Sequence, residues 1–321
     1  MTDSNGSITV WPFANPGAKS YKAFYSSVWD RVVTNPAQML VPIDDHMVHR
    51  GDAVFEALRI IGGRPYLLDA HMDRLGQSSR AIAIPPAFGP ERVKELIERT
   101  VKVAMEESLD PQGAPLPARE FHALVRLFLS RGSGSFSPNP YDCPQPHLYI
   151  VVTSFSPPAN EKYERGVTAG TFPGPSKEPW LAVIKSCNYL QNVLMKKWAV
   201  DAGVDFAISV TPEGCLAEGS TENVIGVDHQ GVAYVPKLET ILRGTTMMRA
   251  LKLGLEKKIL SEVRYGDFSV EFLLGEKKME LAFVGTTLDV IPIRQWDQAT
   301  IFRGDRMKAL CELIRRDQLE V

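Results

Sequence analysis

A proline-rich segment near the middle of the chain constrains its architecture more than any other feature. It reads Ser154-Phe155-Ser156-Pro157-Pro158-Ala159-Asn160, and adjacent prolines fit neither a helix interior nor a central strand. The chain has 321 residues, enough for two medium-sized domains with separate cores. We therefore predict an N-terminal domain at 1–153 and a larger C-terminal domain at 154–321.

Composition and charge limit the classes of partner. The formal net charge is −2, whereas proteins that bind nucleic acid or anionic membranes usually carry a basic excess. The four cysteines, Cys143, Cys187, Cys215 and Cys311, form no CxxC pair, as expected in a reducing compartment. The sequence has no signal-peptide pattern and no apolar run of membrane-spanning length. We predict a cytoplasmic protein without nucleic-acid or membrane partners.

The first 40 residues are rich in aromatic side chains and are punctuated by prolines. So much aromatic area favours a docked arm or a subunit contact over a free tail. We therefore predict an N-terminal arm at 1–40 within the first domain. The aromatic residues are Trp11, Phe13, Tyr21, Phe24, Tyr25 and Trp29.

Hydrophobic periodicity predicts a mixture of strands and helices in the N-terminal domain. Asp69 is the predicted N-cap of one helix. Gly89-Pro90 opens a second helix, with a buried stripe from Val93 to Ala104. A long glycine-, serine- and proline-rich loop at 130–140 suggests a functional reason for its length. The predicted strands are 53–60, 65–68, 121–129 and 147–153.

The C-terminal domain has more predicted strands than helices. The helix that follows Lys185 places Leu190, Val193, Leu194 and Trp198 on one face, and Gly203 ends it. The other predicted elements are strands at 166–171, 205–210, 223–227, 232–235, 280–284 and 290–292 and helices at 245–258 and 303–316.

Lys185 and Glu218 are the residues with the most suggestive surroundings. Lys185 ends the apolar run Leu181-Ala182-Val183-Ile184, and partial desolvation there would favour the neutral, nucleophilic amine needed for Schiff-base chemistry. A solvated surface lysine is the alternative. Glu218 lies in Glu218-Gly219-Ser220-Thr221-Glu222-Asn223, whose glycine and serine equally indicate an ordinary turn.

Three further segments could bind an anion. Arg74 lies on the polar side of the helix after Asp69, where it could also be a plain surface charge. Leu242-Arg243-Gly244-Thr245-Thr246 opens a helix, and free N–H groups with hydroxyls at a helix start suit an anion or form an ordinary cap. Gly285-Thr286-Thr287 is a second small polar turn, after a predicted buried strand.

Taken in order, these motifs resemble those of the fold-type IV pyridoxal-phosphate enzymes. That family includes branched-chain aminotransferases, D-amino-acid aminotransferases, (R)-selective amine transaminases and aminodeoxychorismate lyases. The resemblance runs from about Pro42 to Pro292. It rests on His49-Arg50-Gly51-Asp52-Ala53-Val54-Phe55-Glu56-Ala57-Leu58-Arg59, His71-Met72-Asp73-Arg74-Leu75, Lys185-Ser186-Cys187-Asn188-Tyr189-Leu190, Glu218-Gly219-Ser220-Thr221-Glu222-Asn223, Leu242-Arg243-Gly244-Thr245-Thr246 and Phe283-Val284-Gly285-Thr286-Thr287.

The resemblance implies an α/β, two-domain fold. Its small N-terminal domain would be α+β, its larger C-terminal domain would have a mostly β core, and pyridoxal 5'-phosphate would bind in the interdomain cleft. Lys185 would form a Schiff base with the cofactor and then move the substrate proton. Glu218 would keep the pyridine nitrogen protonated, so that the ring acts as an electron sink.

The resemblance also implies how the rest of the cofactor is held. Arg74 would bind the phosphate through its planar fork of donors, and Thr245, Thr246 and Thr286 would supply the remaining phosphate contacts. Tyr189 would contact the ring oxygen, although the spacing from the lysine to this tyrosine is one residue shorter than in branched-chain enzymes.

Signals for the substrate are divided. Lys185-Ser186-Cys187-Asn188 has the spacing of D-amino-acid aminotransferases, but Phe136 and Pro138 stand where those enzymes trap the substrate carboxylate. Phe55-Glu56-Ala57-Leu58-Arg59 resembles the branched-chain pattern that supplies a substrate-side arginine. The candidate substrate-binding residues are therefore Arg50, Phe55, Arg59, Arg131 and Thr287. For the arginines, solvated charges at strand ends or turns are the alternative.

Two other constellations have weaker claims to chemistry. Asp44-Asp45-His46-Met47-Val48-His49 contains carboxylates and imidazoles, but its His-x-x-His pair has no glutamate in the zincin position. We predict a loop there and no metal site. Cys187 is expected to be a structural thiol rather than a nucleophile.

The predicted function is that of a pyridoxal-phosphate-dependent aminotransferase. It would move an amino group from an amino acid or primary amine to a 2-oxo acid by a ping-pong mechanism, with Lys185 as the base in both halves. The alternative within the family is a lyase of the aminodeoxychorismate type. The alternative from another class is a non-catalytic binder, which would not need both Lys185 and Glu218. The family's dimeric habit implies a homodimer.

Overall fold

The structure, a computed structural model, describes residues 18–110 and 112–320. Trp11 and Phe13 of the predicted arm lie outside the described residues. The chain divides into two compact units: one runs as far as Ser156 and also includes Lys185–Asn188, and the other comprises Pro157–Ile184 and Tyr189–Glu320. A purely linear division at the proline-rich linker does not anticipate that Lys185–Asn188 belongs with the first unit.

The first unit is built on a six-stranded antiparallel sheet with strand order β2-β1-β6-β5-β3-β4. Its strands are β1 (Tyr21–Ser26), β2 (Arg31–Val33), β3 (Ala53–Ile61), β4 (Arg64–Pro65), β5 (Ala123–Ser130) and β6 (His147–Ser154). Its α-helices are α1 (His46–Arg50), α2 (Leu68–Ala81) and α3 (Pro90–Glu106).

Several sequence predictions for this unit need correction. Residues 21–33 form sheet strands rather than a docked arm, because Phe24 and Tyr25 pair with Val151 and Ile150 of β6. The predicted return strand at 65–68 is cut short, since α2 already begins at Leu68. Asp69 is therefore in the first turn of α2 and is not its N-cap.

The predictions for α3 and for β3 are confirmed by which of their residues are buried. α3 begins with Pro90 at its first position and buries Val93, Leu96, Ile97, Val101 and Ala104. The residues of β3 alternate in burial from Val54 onward, as a strand with one covered face requires.

The segment that carries Lys185 extends the sheet region of the first unit. The Phe55 N–H donates to the Lys185 carbonyl at 2.9 Å, and the Cys187 N–H donates to the Ala53 carbonyl at 2.8 Å. These two hydrogen bonds flank an antiparallel bridge between Val54 and Ser186. The backbone at Lys185 is thus held by strand-like pairing with β3, so the side chain leaves a rigid support.

The second unit contains a mixed nine-stranded sheet with the order β12-β11-β10-β13-β14-β7-β8-β9 and with β15 beside β14. Its strands are β7 (Val167–Thr171), β8 (Phe206–Val210), β9 (Leu216–Gly219), β10 (Asn223–Val227), β11 (Val232–Pro236), β12 (Glu262–Gly266), β13 (Glu280–Gly285), β14 (Asp289–Trp296) and β15 (Ala299–Thr300). Its α-helices are α4 (Asn160–Arg165), α5 (Pro179–Ala182), α6 (Leu190–Asp201), α7 (Thr245–Glu256), α8 (Val270–Gly275) and α9 (Arg306–Leu319).

The core of this unit explains the near-continuous apolar runs of its strands. One cluster joins Ile225 and Val284 of the sheet with Met247 and Leu251 of α7 and with Leu310 of α9. A second cluster includes strand residues such as Val224, Phe283 and Trp296. Both faces of the central strands are therefore covered, which favours apolar side chains at successive positions.

The helix α6 turns a different face to the core from the one that its sequence suggests. The buried residues are Asn192, Met195 and Ala199. Leu190, Val193 and Leu194, which were expected to share an apolar face, are exposed. Since α6 is apolar on both sides, periodicity alone cannot decide which side is buried.

Candidate active site

Lys185 lies in a setting that suits a reactive amine. Its side chain is half-buried, and its Nζ lies 4.6 Å from the centre of the Phe55 ring. The Lys185 N–H donates to the Ser78 Oγ of α2 at 3.2 Å. The Phe55 ring excludes water from one side of this amine.

Arg74 is not the exposed surface charge that was the alternative prediction for it. It is buried in α2, and its Nε and Nη2 donate to Glu56 Oε1 and Oε2, each at 2.7 Å. His71 Nδ1 lies 2.7 Å from the same Oε2. A carboxylate, a guanidinium and an imidazole thus form one buried cluster, which we call the Glu56 cluster.

The protonation states within the Glu56 cluster follow from burial and charge. Burial alone would raise the pKa of Glu56, but Arg74 and His71 outweigh it and hold this pKa at about 2. Burial lowers the pKa of His71 below its usual value, although Glu56 opposes the shift. Arg74 and the nearby Lys185 lower it further. The cluster therefore contains an ionised carboxylate and a neutral imidazole.

Sequence reasoning did not single out Glu56 or His71. Glu56 shares the buried face of β3 with Val54, Leu58 and Ile60. An acidic residue at a core position of an alternating strand requires a buried partner, and this is the pattern that could have revealed it.

Glu218 is held in the second unit through both its carboxylate and its backbone. It is buried near the end of β9, and its Oε2 accepts the Leu242 N–H at 3.1 Å. Ser209 Oγ donates to the Glu218 carbonyl at 2.8 Å. Lys177 Nζ lies 3.4 Å from Glu218 Oε1 and 5.5 Å from the centre of the Tyr189 ring. Sequence reasoning missed Lys177, because it lies in a loop without periodicity.

The predicted phosphate threonines occupy two turns of the second unit. Thr245 and Thr246 are buried in the first turn of α7, whose N-cap, Gly244, offers no side chain to its N–H groups. Asn223 Nδ2 donates to the Leu242 carbonyl at 2.8 Å and braces the segment before the helix. Thr286 and Thr287 lie half-buried in the turn between β13 and β14.

All three arginines proposed for the substrate carboxylate contact other groups of the protein. Arg131 is buried, and its Nε and Nη2 donate to Asp52 at 2.8 and 3.0 Å. It also donates to the carbonyls of Ala83 and Ile82 at 2.6 and 2.7 Å. These contacts fit an anchor of the chain rather than a ligand-binding group.

Arg50 and Arg59 are more accessible than Arg131. Arg50 is exposed and donates to the carbonyls of His49 and Phe136. Arg59 is half-buried on the face of β3 that also carries Phe55, and its guanidinium carbon lies 4.7 Å from the centre of the Phe155 ring.

The weaker candidates are structural. The predicted loop at 44–49 is partly the short helix α1, and Asp45 caps it by accepting the Met47 N–H. Within 18–110 and 112–320, no group of three or more His, Cys, Asp or Glu side chains is arranged to hold a metal ion. Burial raises the pKa of Cys187 to about 12, which makes this thiol a poor nucleophile.

The structure thus collects the predicted residues into two sets. Phe55, Arg74 and Lys185 belong to the first unit, and His71 lies within electrostatic range of both Arg74 and Lys185. The second set, in the other unit, comprises Tyr189, Glu218, Thr245, Thr246 and Thr286.

Comparison with known proteins decides the family. The model of the class IV aminotransferases matches residues 53–296, more than half of the chain. The chain belongs to the class IV aminotransferases. The protein is therefore an aminotransferase, which confirms the enzyme class predicted from its motifs.

Individual relatives and solved structures agree with this assignment. A chloroplastic D-amino-acid transaminase from Arabidopsis thaliana is 36% identical over 308 residues, 94% of this chain and 78% of the relative. A bifunctional aminodeoxychorismate lyase / D-amino acid transaminase from Mycobacterium tuberculosis is 29% identical, in an alignment that covers 71% of this chain and 77% of the relative. A branched-chain aminotransferase structure from Thermoproteus uzoniensis has a TM-score of 0.80 at 23% identity and covers 94% of this chain and 95% of its own. This likeness confirms the predicted fold.

Class IV aminotransferases depend on pyridoxal phosphate, and the chemistry of the donor set fits that cofactor. The chain offers a half-buried amine against an aromatic ring, a buried carboxylate fixed by a backbone N–H and an uncapped helix start with two hydroxyls. These groups suit an aldehyde, a pyridinium nitrogen and a phosphate, respectively. Among the described residues, no helix has the length and apolar character needed to cross a membrane.

Proposed function

We propose that this aminotransferase takes its amino group from a D-amino acid and passes it to a 2-oxo acid by a ping-pong mechanism. The observation that carries the donor class is the 36% identity, over 94% of the chain, to a D-amino-acid transaminase. The spacing in Lys185-Ser186-Cys187-Asn188, which resembles that of D-amino-acid aminotransferases, supports the same donor.

The residues assigned to the cofactor divide by its chemical parts. Lys185 would bond covalently to its aldehyde carbon as a Schiff base, and Glu218 would pair with its ring nitrogen. Tyr189 would contact the ring oxygen. When bound, the cofactor supplies an electron sink for the electrons of the substrate Cα–H bond. The residues proposed to hold the phosphate are Arg74, Thr245, Thr246 and Thr286.

Lys185 is proposed as the group that moves the proton. In the first half-reaction its Nζ would take the proton from the substrate Cα and deliver it to the carbon derived from the cofactor aldehyde. In the second half-reaction it would move a proton in the opposite direction, to the Cα derived from the 2-oxo acid. The Phe55 ring, 4.6 Å from Nζ, would exclude water from one side of the amine. Glu218 would stay in place because the Leu242 N–H and Ser209 hold its carboxylate and its backbone.

The proposal for the substrate carboxylate retains Arg50, Phe55, Arg59 and Thr287. Arg59 shares one face of β3 with Phe55, so a substrate that contacts the Phe55 ring could also reach the guanidinium. We assign Arg131 to anchoring residues 131–140, because Asp52 and two backbone carbonyls already engage it.

We further propose a cytoplasmic homodimer. The cytoplasmic assignment is supported by Cys143, Cys187, Cys215 and Cys311, all of which are free thiols, as is usual in a reducing compartment. The dimer is supported by an exposed apolar stripe on α6. Its members are Leu190, Val193, Leu194 and Val200, with exposed fractions of 72%, 58%, 47% and 64%.

Half-reactions with a panel of donors test the proposed function. Protein supplied with pyridoxal phosphate should gain a visible absorbance that borohydride bleaches. D-amino acids should convert this absorbance faster than L-branched-chain amino acids or (R)-amines, and a 2-oxo acid should restore it. Faster conversion by either competing class would refute the donor assignment.

The same preparation separates transamination from the lyase alternative. A relative from Mycobacterium tuberculosis carries both names, so aminodeoxychorismate belongs in the panel. A transaminase needs a 2-oxo acid to complete its cycle, whereas a lyase turns over without an acceptor. Sustained, acceptor-independent turnover of aminodeoxychorismate, with no response to D-amino acids, would replace the proposed reaction by the lyase reaction.

A further inference from the structure

Glu56 makes contacts that define the orientation of one side chain. It has no exposed surface, and each of its carboxylate oxygens accepts a hydrogen bond from Arg74 at 2.7 Å. Two parallel hydrogen bonds fix both the position and the plane of a guanidinium, whereas a single bond would leave the plane free to rotate.

His71 completes the arrangement on the other side of the carboxylate. Its Nδ1 lies 2.7 Å from Glu56 Oε2. An ionised carboxylate can only accept hydrogen bonds, so the Nδ1 of His71 carries the proton and donates it. Oε2 is thereby held by two donors, and the carboxylate cannot turn without breaking both contacts.

The spacing along α2 explains how these residues converge. His71 and Arg74 are separated by three positions, so their side chains project from the same face of the helix. That face packs against the buried side of β3, from which Glu56 projects. One strand residue can therefore bind both helix residues at once.

We propose that Glu56 and His71 are positioning residues that fix the guanidinium of Arg74 for recognition of the cofactor phosphate. This inference rests on the proposed function, in which Arg74 binds that phosphate. Arginine is a long side chain with many rotamers, and fixing one of them before binding removes an entropic cost from the binding step.

Orientation accounts for the cluster better than stability does. Apolar residues of similar volume often stabilise a protein as well as a buried ion pair does, because both charges must be desolvated. A cluster with three ionisable groups would therefore be a poor choice for filling the space between β3 and α2. Its two-point geometry is instead what accurate placement of a guanidinium requires.

Comparing two cofactor forms isolates this role. Pyridoxal phosphate and pyridoxal share the aldehyde and the ring, but only the former carries the phosphate. Equilibrium titrations followed by absorbance give the affinities of pyridoxal phosphate and of pyridoxal for the wild-type protein and for Glu56→Gln. We expect Glu56→Gln to lower the affinity for pyridoxal phosphate about 10- to 100-fold. This is the range seen when the residues that orient metal ligands are changed. The affinity for pyridoxal should change by less than about threefold.

A second variant covers the case in which Glu56→Gln does not fold. Glu56→Asp keeps the negative charge that compensates Arg74 but withdraws the carboxylate by one methylene. It should also lower the affinity ratio of pyridoxal phosphate to pyridoxal. Asp228→Asn is the matched control, because Asp228 is another buried acid, bonded to Tyr234 and to the N–H groups of Gln230 and Val232. The ratio of the affinity for pyridoxal phosphate to that for pyridoxal should be the same in Asp228→Asn as in the wild type.

The outcomes discriminate between the two levels of the proposal. An equal loss of affinity for both ligands in the Glu56 variants, or no loss for either, would overturn the positioning role while leaving the cofactor assignment intact. A wild-type chain that binds neither ligand would overturn the proposed cofactor site itself, and the positioning role with it.

Discussion

Glu56 is fully buried and yet ionised, two properties that are costly to combine. Burial raises its pKa, but the adjacent guanidinium and imidazole more than compensate, and the net value is about 2 instead of 4.5. Because this pKa is lower in the folded chain than in the unfolded chain, ionised Glu56 stabilises the fold above pH 4.5. That contribution is lost progressively as the pH falls from about 4.5 towards 2.

The pH dependence of unfolding tests this assignment. At pH 7, Glu56→Gln should lower the free energy of unfolding by about 3 kcal/mol, since it leaves Arg74 without its counter-charge. The difference between wild type and variant should be constant from pH 7 to 5 and should shrink below pH 4.5. Urea titrations at pH 7, 5, 4 and 3 measure it. A difference that stays the same at pH 3 would show that folding does not lower the pKa of Glu56.

Lys185 gives a second prediction at the scale of single residues. Lys185→Ala should abolish both the borohydride-sensitive absorbance and transamination, because its Nζ is the amine proposed to bond to the cofactor aldehyde and to move the substrate proton. The fold should remain, since the backbone hydrogen bonds of this segment do not involve the side chain. Absorbance spectra, turnover and thermal unfolding measure these effects, with Lys252→Ala on the exposed side of α7 as the control. Retained turnover in Lys185→Ala would exclude Lys185 as the base.

Among the elements, residues 131–140 form a loop with unusually many anchors. Gly134 N–H donates to the Asp44 carbonyl at 3.1 Å, and the ring of His46 bonds the Ser135 carbonyl at 3.0 Å. Asp45 lies beneath the start of the loop and accepts from Ser130 at 2.5 Å. Burial raises the pKa of Asp45, but hydrogen bonds from His147, Ser130 and Tyr149 outweigh it and lower the net value. The loop is therefore held against α1 from several sides.

Gly132 is the position in this loop where a side chain cannot be accommodated. Its φ is +105°, and a Cβ would lie 1.9 Å from the carbonyl oxygen of Gln145. Gly132→Ala should destabilise the protein by about 2 kcal/mol or more, through backbone strain together with the clash. Urea unfolding measures the loss.

Gly113 supplies the matched control for this prediction. Its φ is +84°, but a Cβ there would meet no atom within 4 Å. Gly113→Ala should therefore show only the cost of the left-handed conformation, about 1 kcal/mol. Equal losses in the two variants would mean that the close approach to Gln145 does not constrain the loop.

Elements were predictable where one face is apolar and the other is polar. The apolar stripe from Val93 to Ala104 correctly predicted α3, and Gly89-Pro90 correctly predicted where it begins. The same reasoning failed for α6, whose two apolar faces are equivalent to any periodicity argument. It also failed at residues 21–33, because aromatic strand residues near a terminus resemble a docked arm until their pairing with β6 is known.

The candidate site was predictable at the scale of the whole molecule only through the order of its motifs. Lys185, Glu218 and the threonine turns were selected as candidates in this way, and each was ambiguous when taken alone. Glu56, His71 and Lys177 were not identified, since their roles depend on tertiary contacts between segments that are distant in the sequence. Likewise, no local pattern indicates that Lys185 pairs with β3, more than 100 positions earlier in the chain.

Assembly is the remaining question at the scale of the whole molecule. The exposed stripe of α6 carries four large aliphatic side chains together with the exposed Lys197–Asp201 ion pair, and exposed apolar side chains among polar ones commonly mark a protein interface. Val193 lies within the stripe and is 58% exposed. Val193→Glu would bring a charge into a buried interface without a partner, so it should shift a dimer towards monomers by at least tenfold in dissociation constant.

Sedimentation equilibrium at several protein concentrations measures this shift. Val48→Glu is the control, because Val48 is an exposed valine on α1 of the other unit, with 47% of its surface accessible. The two variants carry the same change in charge, so a difference between them reports position and not net charge. A wild-type chain that is monomeric at all concentrations would refute the homodimer. A dimer equally stable in wild type and Val193→Glu would refute the assignment of the interface to α6, because an unpaired buried carboxylate could not be accommodated there without loss.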